Sequence, residues 1–295
     1  MSNHAAVPFL RRKSTVVAGA VGAVVALGAG VTLSNVFAAT SATSAAPAAP
    51  AAKTAPKVVL PTANATFDYQ IGGAYTPAKG VTAVSRDRSA KPVKGLYNVC
   101  YINAFQAQPD AMSWWQKNHP DLILRGKDKR PVVDEDWNEA LLDTSTADKR
   151  TRLAAVVGAW VDGCAKSGFQ AVEPDNLDSY ERSGGRLTKA HNAAFAKLLA
   201  GRAHAAGLAV GQKNTVDMLA DRTKIGFDFA VAEECGEYNE CGDYAKAYAN
   251  RVFVIEYENG GFSKACSGFD AKLGIVRRDL DVAPRGAGGY TFRTC

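Results

Sequence analysis

Eight short apolar runs, most of them separated by stretches of helical periodicity, limit what this chain can fold into. They are Thr66–Ile71, Leu96–Ile102, Ala140–Asp143, Phe169–Glu173, Leu208–Gln212, Asp228–Ala232, Val252–Glu256 and Leu273–Val276. Each has the length of a buried strand, and most are rich in β-branched or aromatic residues. Between the third and fourth, Leu153, Val156, Val157, Trp160, Val161 and Cys164 recur at helical spacing, with Gly168 placed to end the helix. Between the fourth and fifth, Thr188 is an N-cap, Ala194, Phe195, Leu198 and Leu199 form an apolar face, and Gly207 closes the segment. Asp243–Asn250 reads as another helix. Strands alternating with helices imply an α/β fold with a parallel sheet and helices outside. Eight strands point to a closed (β/α)8 TIM barrel in a single domain, with an open doubly wound sheet as the alternative.

The barrel need not occupy the whole chain of 295 residues. Arg11, Arg12 and Lys13 precede an apolar run from Val16 to Leu33, and small residues follow it. This is the pattern of a secretory signal peptide over residues 1–38, cut after Ala38. An uncleaved membrane anchor is the alternative, and the Arg pair raises a twin-arginine route. Thr40–Pro61 is Ala, Pro, Ser and Thr without periodicity and cannot bury enough surface to order itself. Residues 39–64 therefore read as a linker and residues 65–295 as the folded domain. The formal charge of +6 falls to +3 when the signal's three basic residues leave. The remaining Lys and Arg are dispersed, which argues against nucleic acid as a partner. No Gly-rich loop joins a strand to a helix, so no nucleotide cradle is expected; Arg285–Tyr290 reads as a surface turn. A secreted monomer with no stable membrane association after cleavage, and with no cofactor, is the expectation.

Carboxylates gather where barrel strands end. The first run carries Asp68, Tyr69 and Gln70. The fourth leads into Glu173, Asp175, Asn176 and Asp178, and the fifth into Lys213 and Asn214. The sixth ends in Glu233 and Glu234, and the seventh in Glu256, Tyr257 and Glu258. Such crowding is unfavourable in a core, but chemistry in these barrels sits at the C-terminal rim. Two opposed carboxylates suit glycosidic bond cleavage, one protonating the leaving oxygen and the other attacking the sugar or activating water. Taken singly, each residue has a plainer reading. Asp178 caps a loop, and Glu234, Glu237 and Glu240 form a solvated face. Lys213 pairs with a carboxylate, Tyr69, Trp114 and Trp115 pack, and His191 and His204 lie on helix surfaces. The coincidence at several strand ends favours a site.

The segments "FDYQIGGAY", "GFQAVEPDNLDSY", "LTKAHNAAFAKLLAGRAHAAGLAVGQKN", "FDFAVAEECGEYNECGDY" and "VFVIEYE" resemble, in that order, glycoside hydrolase family 114. The resemblance runs from Phe67 to Glu258 and implies an endo-α-1,4-polygalactosaminidase-like barrel. It implies Asp175 and Glu233 as the catalytic pair. By analogy with barrel enzymes that cut α-linkages, Asp175 is the nucleophile and Glu233 the acid/base, with retention of configuration. Asp68, Tyr69, Glu173, Asn176, Asp178, Lys213, Asn214 and Glu256 are the expected substrate contacts. A deacetylated galactosamine polymer is cationic, and an acidic mouth would attract it. An α-glycosidase for neutral galactosides and a non-catalytic glycan-binding barrel are the alternatives.

Six cysteines in an oxidising compartment suggest disulfides, although six allow fifteen pairings. There is no Cys-x-x-Cys, and the four histidines are not at ligand spacing, so no metal is expected. Cys235 and Cys241 flank five residues directly after Glu233 and are expected to bond to each other. Cys266 and Cys295 would then staple the C-terminal tail. Cys100 and Cys164 either pair across neighbouring elements or remain buried thiols.

Overall fold

A computed structural model describes residues 56–295; the signal peptide and most of the linker lie outside the described residues. In chain order the elements are β1 (Phe67–Gln70), β2 (Ala83–Asp87), β3 (Tyr97–Asn103), β4 (Gln106–Ala107), α1 (Met112–Asn118), β5 (Val133–Asp134) and β6 (Glu139–Leu141). There follow α2 (Ala147–Ser167), β7 (Ala171–Asp175), α3 (Lys189–Ala205), β8 (Ala209–Lys213), α4 (Arg222–Ile225), β9 (Phe229–Glu233) and α5 (Cys241–Ala247). The last are β10 (Val252–Glu256), α6 (Asn259–Phe269), β11 (Gly274–Arg278) and β12 (Phe292–Thr294). Strands β1-β2-β3-β7-β8-β9-β10-β11 are parallel neighbours in that order, and β12 adds antiparallel to β11. The sheet curls until β11 lies beside β1, giving a (β/α)8 barrel. Gly274 permits the close approach there, because a Cβ would collide with the Ala65 carbonyl.

The ends of the long helices follow from local chemistry. Thr146 caps α2 through the Lys149 N–H, and Gly168 ends it at φ 94°. Thr188 and His191 form a reciprocal capping box at the start of α3. Ala140–Asp143 is not the third barrel strand. Its first two residues, Ala140 and Leu141, belong to β6, which pairs antiparallel with β4 and β5 in a separate small sheet, inserted between β3 and α2. The second barrel strand is instead β2, "AVSRD", whose Ser85 and Arg86 are buried because each has a partner. Ser85 donates to Glu173, and Arg86 donates to Gln70 and to the carbonyls of Lys91 and Tyr75. Residues 56–64 are not free linker either: Pro61 is buried, Val58 packs on the core and the Tyr97 hydroxyl donates to the Val59 carbonyl.

Strand alternation sorts side chains between two apolar layers. Phe67, Val99, Ala171, Ala209, Phe229, Val231, Phe253, Ile255 and Val276 fill the lumen. Cys100, Ile102, Val172, Val210, Ala230, Ala232 and Val254 pack outward against the helices. Disulfides join Cys100 to Cys164, Cys235 to Cys241 and Cys266 to Cys295, which suits an oxidising compartment. Among the described residues, no helix is long and apolar enough to cross a membrane.

Candidate active site

The same alternation decides which strand-end groups meet. On β7, Ala171 faces the lumen, so Glu173 and Asp175 do too; Lys213 on β8 and Glu233 on β9 follow from Ala209, Phe229 and Val231. Above the apolar plug these four groups converge. Lys213 Nζ lies 3.4 Å from Glu173 Oε1, 3.2 Å from Asp175 Oδ1 and 3.3 Å from Glu233 Oε2. Glu173 is fully buried, and Ser85 (2.7 Å) and Tyr69 (2.8 Å) donate to its two oxygens. Asp175 accepts from the Tyr101 hydroxyl at 2.7 Å and from the Asn176 N–H at 2.8 Å. Glu233 accepts from the Tyr257 hydroxyl and from Asn214 Nδ2, and its own N–H donates back to Asn214 Oδ1.

Asp175 and Glu233 are therefore matched. Each has one oxygen held by an N–H donor and by Lys213, and the other held by a tyrosine hydroxyl. Their facing oxygens lie no farther apart than the two Lys213 contacts, 3.2 and 3.3 Å, laid end to end. Backbone geometry supports this aim. Asn176, Asn214 and Glu234 follow the ends of β7, β8 and β9, and all take positive φ, 66°, 47° and 57°. The left-handed turn reverses the chain at once and leaves the preceding side chain at the rim. Asn tolerates that region, whereas Glu234 sits there under strain of the kind found at functional sites.

Electrostatics follow burial. Burial pushes the Glu173 carboxyl up to about 7, although Lys213 and Ser85 pull it down. Burial also works against the Lys213 charge, but Asp175, Glu233 and Glu173 outweigh it and hold the ammonium well above the ordinary lysine range. Tyr69, Tyr101 and Tyr257 are raised well above theirs, by burial and then by the carboxylates they face, so they remain donors.

Not every strand-end acid belongs here. Asp68 alternates away from Tyr69 and is met by Gln70, Tyr75 and Arg278. Glu256 alternates away from Ile255; it is fully buried outside the lumen and accepts from the Gly236 N–H. Asp178 pairs with Arg182 in the loop above β7, and that arginine also donates to Asn176 and Gln106. Trp115 is buried, whereas Trp114 is exposed. His191 caps α3, and His204 pairs with Asp228. The Cys235 and Cys241 sulfurs lie near Glu256 but are joined to each other, which leaves no thiolate for a metal.

Three site groups, Ser85, Tyr101 and Glu139, escape the sequence reading, and Tyr257 enters it only as a neighbour of strand-end acids. Ser85 and Tyr101 carry no signal beyond strand parity. Glu139 lies in the small sheet, where Asn103 (2.8 Å) and Gln106 (2.9 Å) donate to its Oε2. Asn103 is the β3 partner of Asp175 in the ladder, which brings Glu139 to the mouth.

A lumen closed by paired acids at the ends of barrel strands is the arrangement of a barrel glycosidase. The chain belongs to glycoside-hydrolase family GH114, whose family model matches residues 46–295, and it is a glycoside hydrolase. A crystal structure of Aspergillus fumigatus Ega3 in complex with galactosamine is similar at 23% identity, over 83% of this chain and 99% of that one, with a TM-score of 0.61. The glycoside hydrolase domain of PelA from Pseudomonas aeruginosa is similar at 13% identity, over 76% and 97%, with a TM-score of 0.52. At these identities the likeness is one of fold. No curated protein matches the chain significantly in sequence.

Proposed function

We propose that this chain is a secreted, endo-acting hydrolase of α-1,4-linked galactosamine polymers, with Asp175 as nucleophile and Glu233 as acid/base. The observation that carries the proposal is the opposition of these two carboxylates across Lys213. In the first step Asp175 attacks the anomeric carbon while Glu233 gives its proton to the leaving oxygen, so the glycosidic bond breaks as a glycosyl ester forms on Asp175. In the second step Glu233 takes a proton from water, the hydroxide oxygen bonds to the anomeric carbon and Asp175 is released. The carboxyl spacing of retaining enzymes, roughly 5–5.5 Å, lies within the bound set by the two Lys213 contacts. Three disulfides fit action outside the cell.

The substrate reading rests on charge. The rim gathers Glu139, Asp175, Glu233 and Glu234, and its arginine, Arg182, is committed to Asp134 and Asp178. A cationic amino sugar suits such a rim better than a uronate does. The galactosamine bound to the similar Ega3 structure accords with this. Release of reducing ends from a deacetylated galactosamine polymer tests the activity, and Asp175→Asn and Glu233→Gln should each lower it at least about a hundredfold. An aryl glycoside with an acidic leaving group needs no proton donor. It should restore the first step to Glu233→Gln but not to Asp175→Asn, and the reverse result would exchange the two roles. N-terminal sequencing of exported protein starting at Ala39 tests secretion.

A further inference from the structure

Glu139 and Glu234 stand apart from the other acids of the mouth, and of the two Glu139 is the one held in place by side-chain amides. Glu173 is enclosed by Ser85, Tyr69 and Lys213. Asp134 and Asp178 are neutralised by Arg182. Asp175 and Glu233 have their own donors and a chemical task. Glu139 is only partly buried, and two amides hold one of its oxygens. Among the described residues, no donor meets the other oxygen and no cation pairs with the carboxylate. Its surroundings are also built to keep it in place. The Gln106 amide that holds Glu139 also reaches Asp134 at 3.2 Å, and Arg182 ties the same glutamine to the loop after β7. Asn103 accepts from Asn176 at 3.0 Å while it donates to Glu139. The carboxylate is thus aimed by a rigid frame that starts one residue from Asp175.

We infer that Glu139 is the specificity-determining anchor for the 2-ammonium group of the sugar whose anomeric carbon Asp175 attacks. The inference rests on the substrate reading above and names the residue that reads the amine. The geometry requires proximity, since the amine-bearing carbon is bonded to the carbon under attack. A group that recognises it must stand next to the nucleophile, and Glu139 is linked to Asp175 through a single ladder partner. Burial, followed by the charges of Asp175 and Asp134, raises the Glu139 carboxyl, against the pull of its two amides. An arriving ammonium would relieve that and gain a charge-assisted hydrogen bond. An N-acetylated sugar still has an amide N–H to donate but brings no cation, so it leaves the charge on Glu139 uncompensated.

The test compares the wild-type enzyme with Glu139→Gln, which keeps an acceptor for Asn103 and Gln106. Kinetics are measured on deacetylated galactosamine oligomers. Affinity for the same oligomers and for their N-acetylated forms is measured by calorimetry in the Asp175→Asn background. Glu139→Gln should raise KM for the free amine about tenfold or more, leave kcat within about twofold, and weaken binding of the N-acetylated oligomer by less than about threefold. Glu139→Asp, which retains the charge, should recover part of the loss. An unchanged KM, or equal loss of affinity for amine and N-acetyl forms, would overturn the inference. So would a loss confined to Glu234→Gln, which places the anchor beside Glu233. If wild-type enzyme neither binds nor cleaves the deacetylated oligomer, the substrate reading itself fails, and Glu139 falls with it.

Discussion

Glu173 and Glu256 make a natural pair. Each lies at or near the end of a barrel strand, each is fully buried, and burial pushes each up to about 7. They differ in the face onto which the strand turns them. Glu173 points into the lumen, where a serine, a tyrosine and a lysine meet its oxygens. Glu256 points out beneath the Cys235–Cys241 loop. There the Gly236 N–H holds one oxygen, the other has no partner, and no cation pairs with it among the described residues. A similar perturbed acidity therefore arises twice, once inside a charged site and once in packing. What separates them is strand parity and the presence of Lys213, not burial or position along the strand.

The sharpest way to break the comparison is Lys213→Met, since Lys213 is what gives the lumen face its charge balance. It leaves Glu173, Asp175 and Glu233 facing one another across an apolar side chain. Stability by urea unfolding should fall by about 3–5 kcal/mol, the usual cost of removing one partner from a buried pair. A loss below about 1 kcal/mol would mean that the three acids share protons or water without the lysine. Glu173→Gln comes next. The amide can accept from only one of Ser85 and Tyr69 and turns its NH2 on the other donor or on Lys213. We expect a loss of about 1.5–3 kcal/mol, with reduced kcat because Lys213 loses part of its frame.

The outline of this comparison is legible in the sequence, and its decisive part is not. Glu173, Asp175, Lys213 and Glu233 stand at the ends of strongly apolar runs, so their arrival at one rim follows from the period of the strands. Asp68 and Glu256 look equivalent in the sequence, and only the register of Phe67 and Phe253 in the lumen shows that they face elsewhere. Strand β2 is hidden because Ser85 and Arg86 interrupt its apolar pattern, and they are buried only by virtue of partners on β7 and β1. Glu139 is hidden for a related reason. The run that starts just after it reads as a barrel strand, whereas β6 pairs with β4 and β5 in a separate small sheet. In each case the missing information is long-range, a strand's register in the lumen, a buried polar partner or a pairing between distant strands, and no local pattern encodes it.

A smaller perturbation acts on the outer member of the pair. Replacing Cys235 and Cys241 together by serine opens a loop of five intervening residues, worth about 2 kcal/mol by loop entropy. The loop covers Glu256 and begins two residues after Glu233, so kcat should fall along with the melting temperature. Undiminished kcat with the full stability loss would make the bridge a staple with no hold on Glu233.

The finest test of the comparison is Glu256→Gln read as a function of pH. The folded carboxyl is raised from 4.5 to about 7, so the folded state keeps a proton that the unfolded chain has already released. Protons bound to the folded state stabilise it. This contribution is complete below about pH 4.5 and is lost as the pH rises through about 7. Glutamine cannot titrate, keeps an acceptor for the Gly236 N–H, and carries no charge to strand in an apolar pocket. The variant should therefore lie within about 1 kcal/mol of wild type at pH 4.5. It should lose less stability than wild type between there and pH 8, and should match or exceed it at the alkaline end. Glu173→Gln flattens the same window but remains less stable throughout, because its loss lies in partners rather than in protonation. Parallel pH profiles for wild type and Glu256→Gln would show that Glu256 already ionises near its ordinary value, through water that reaches it beneath the disulfide loop.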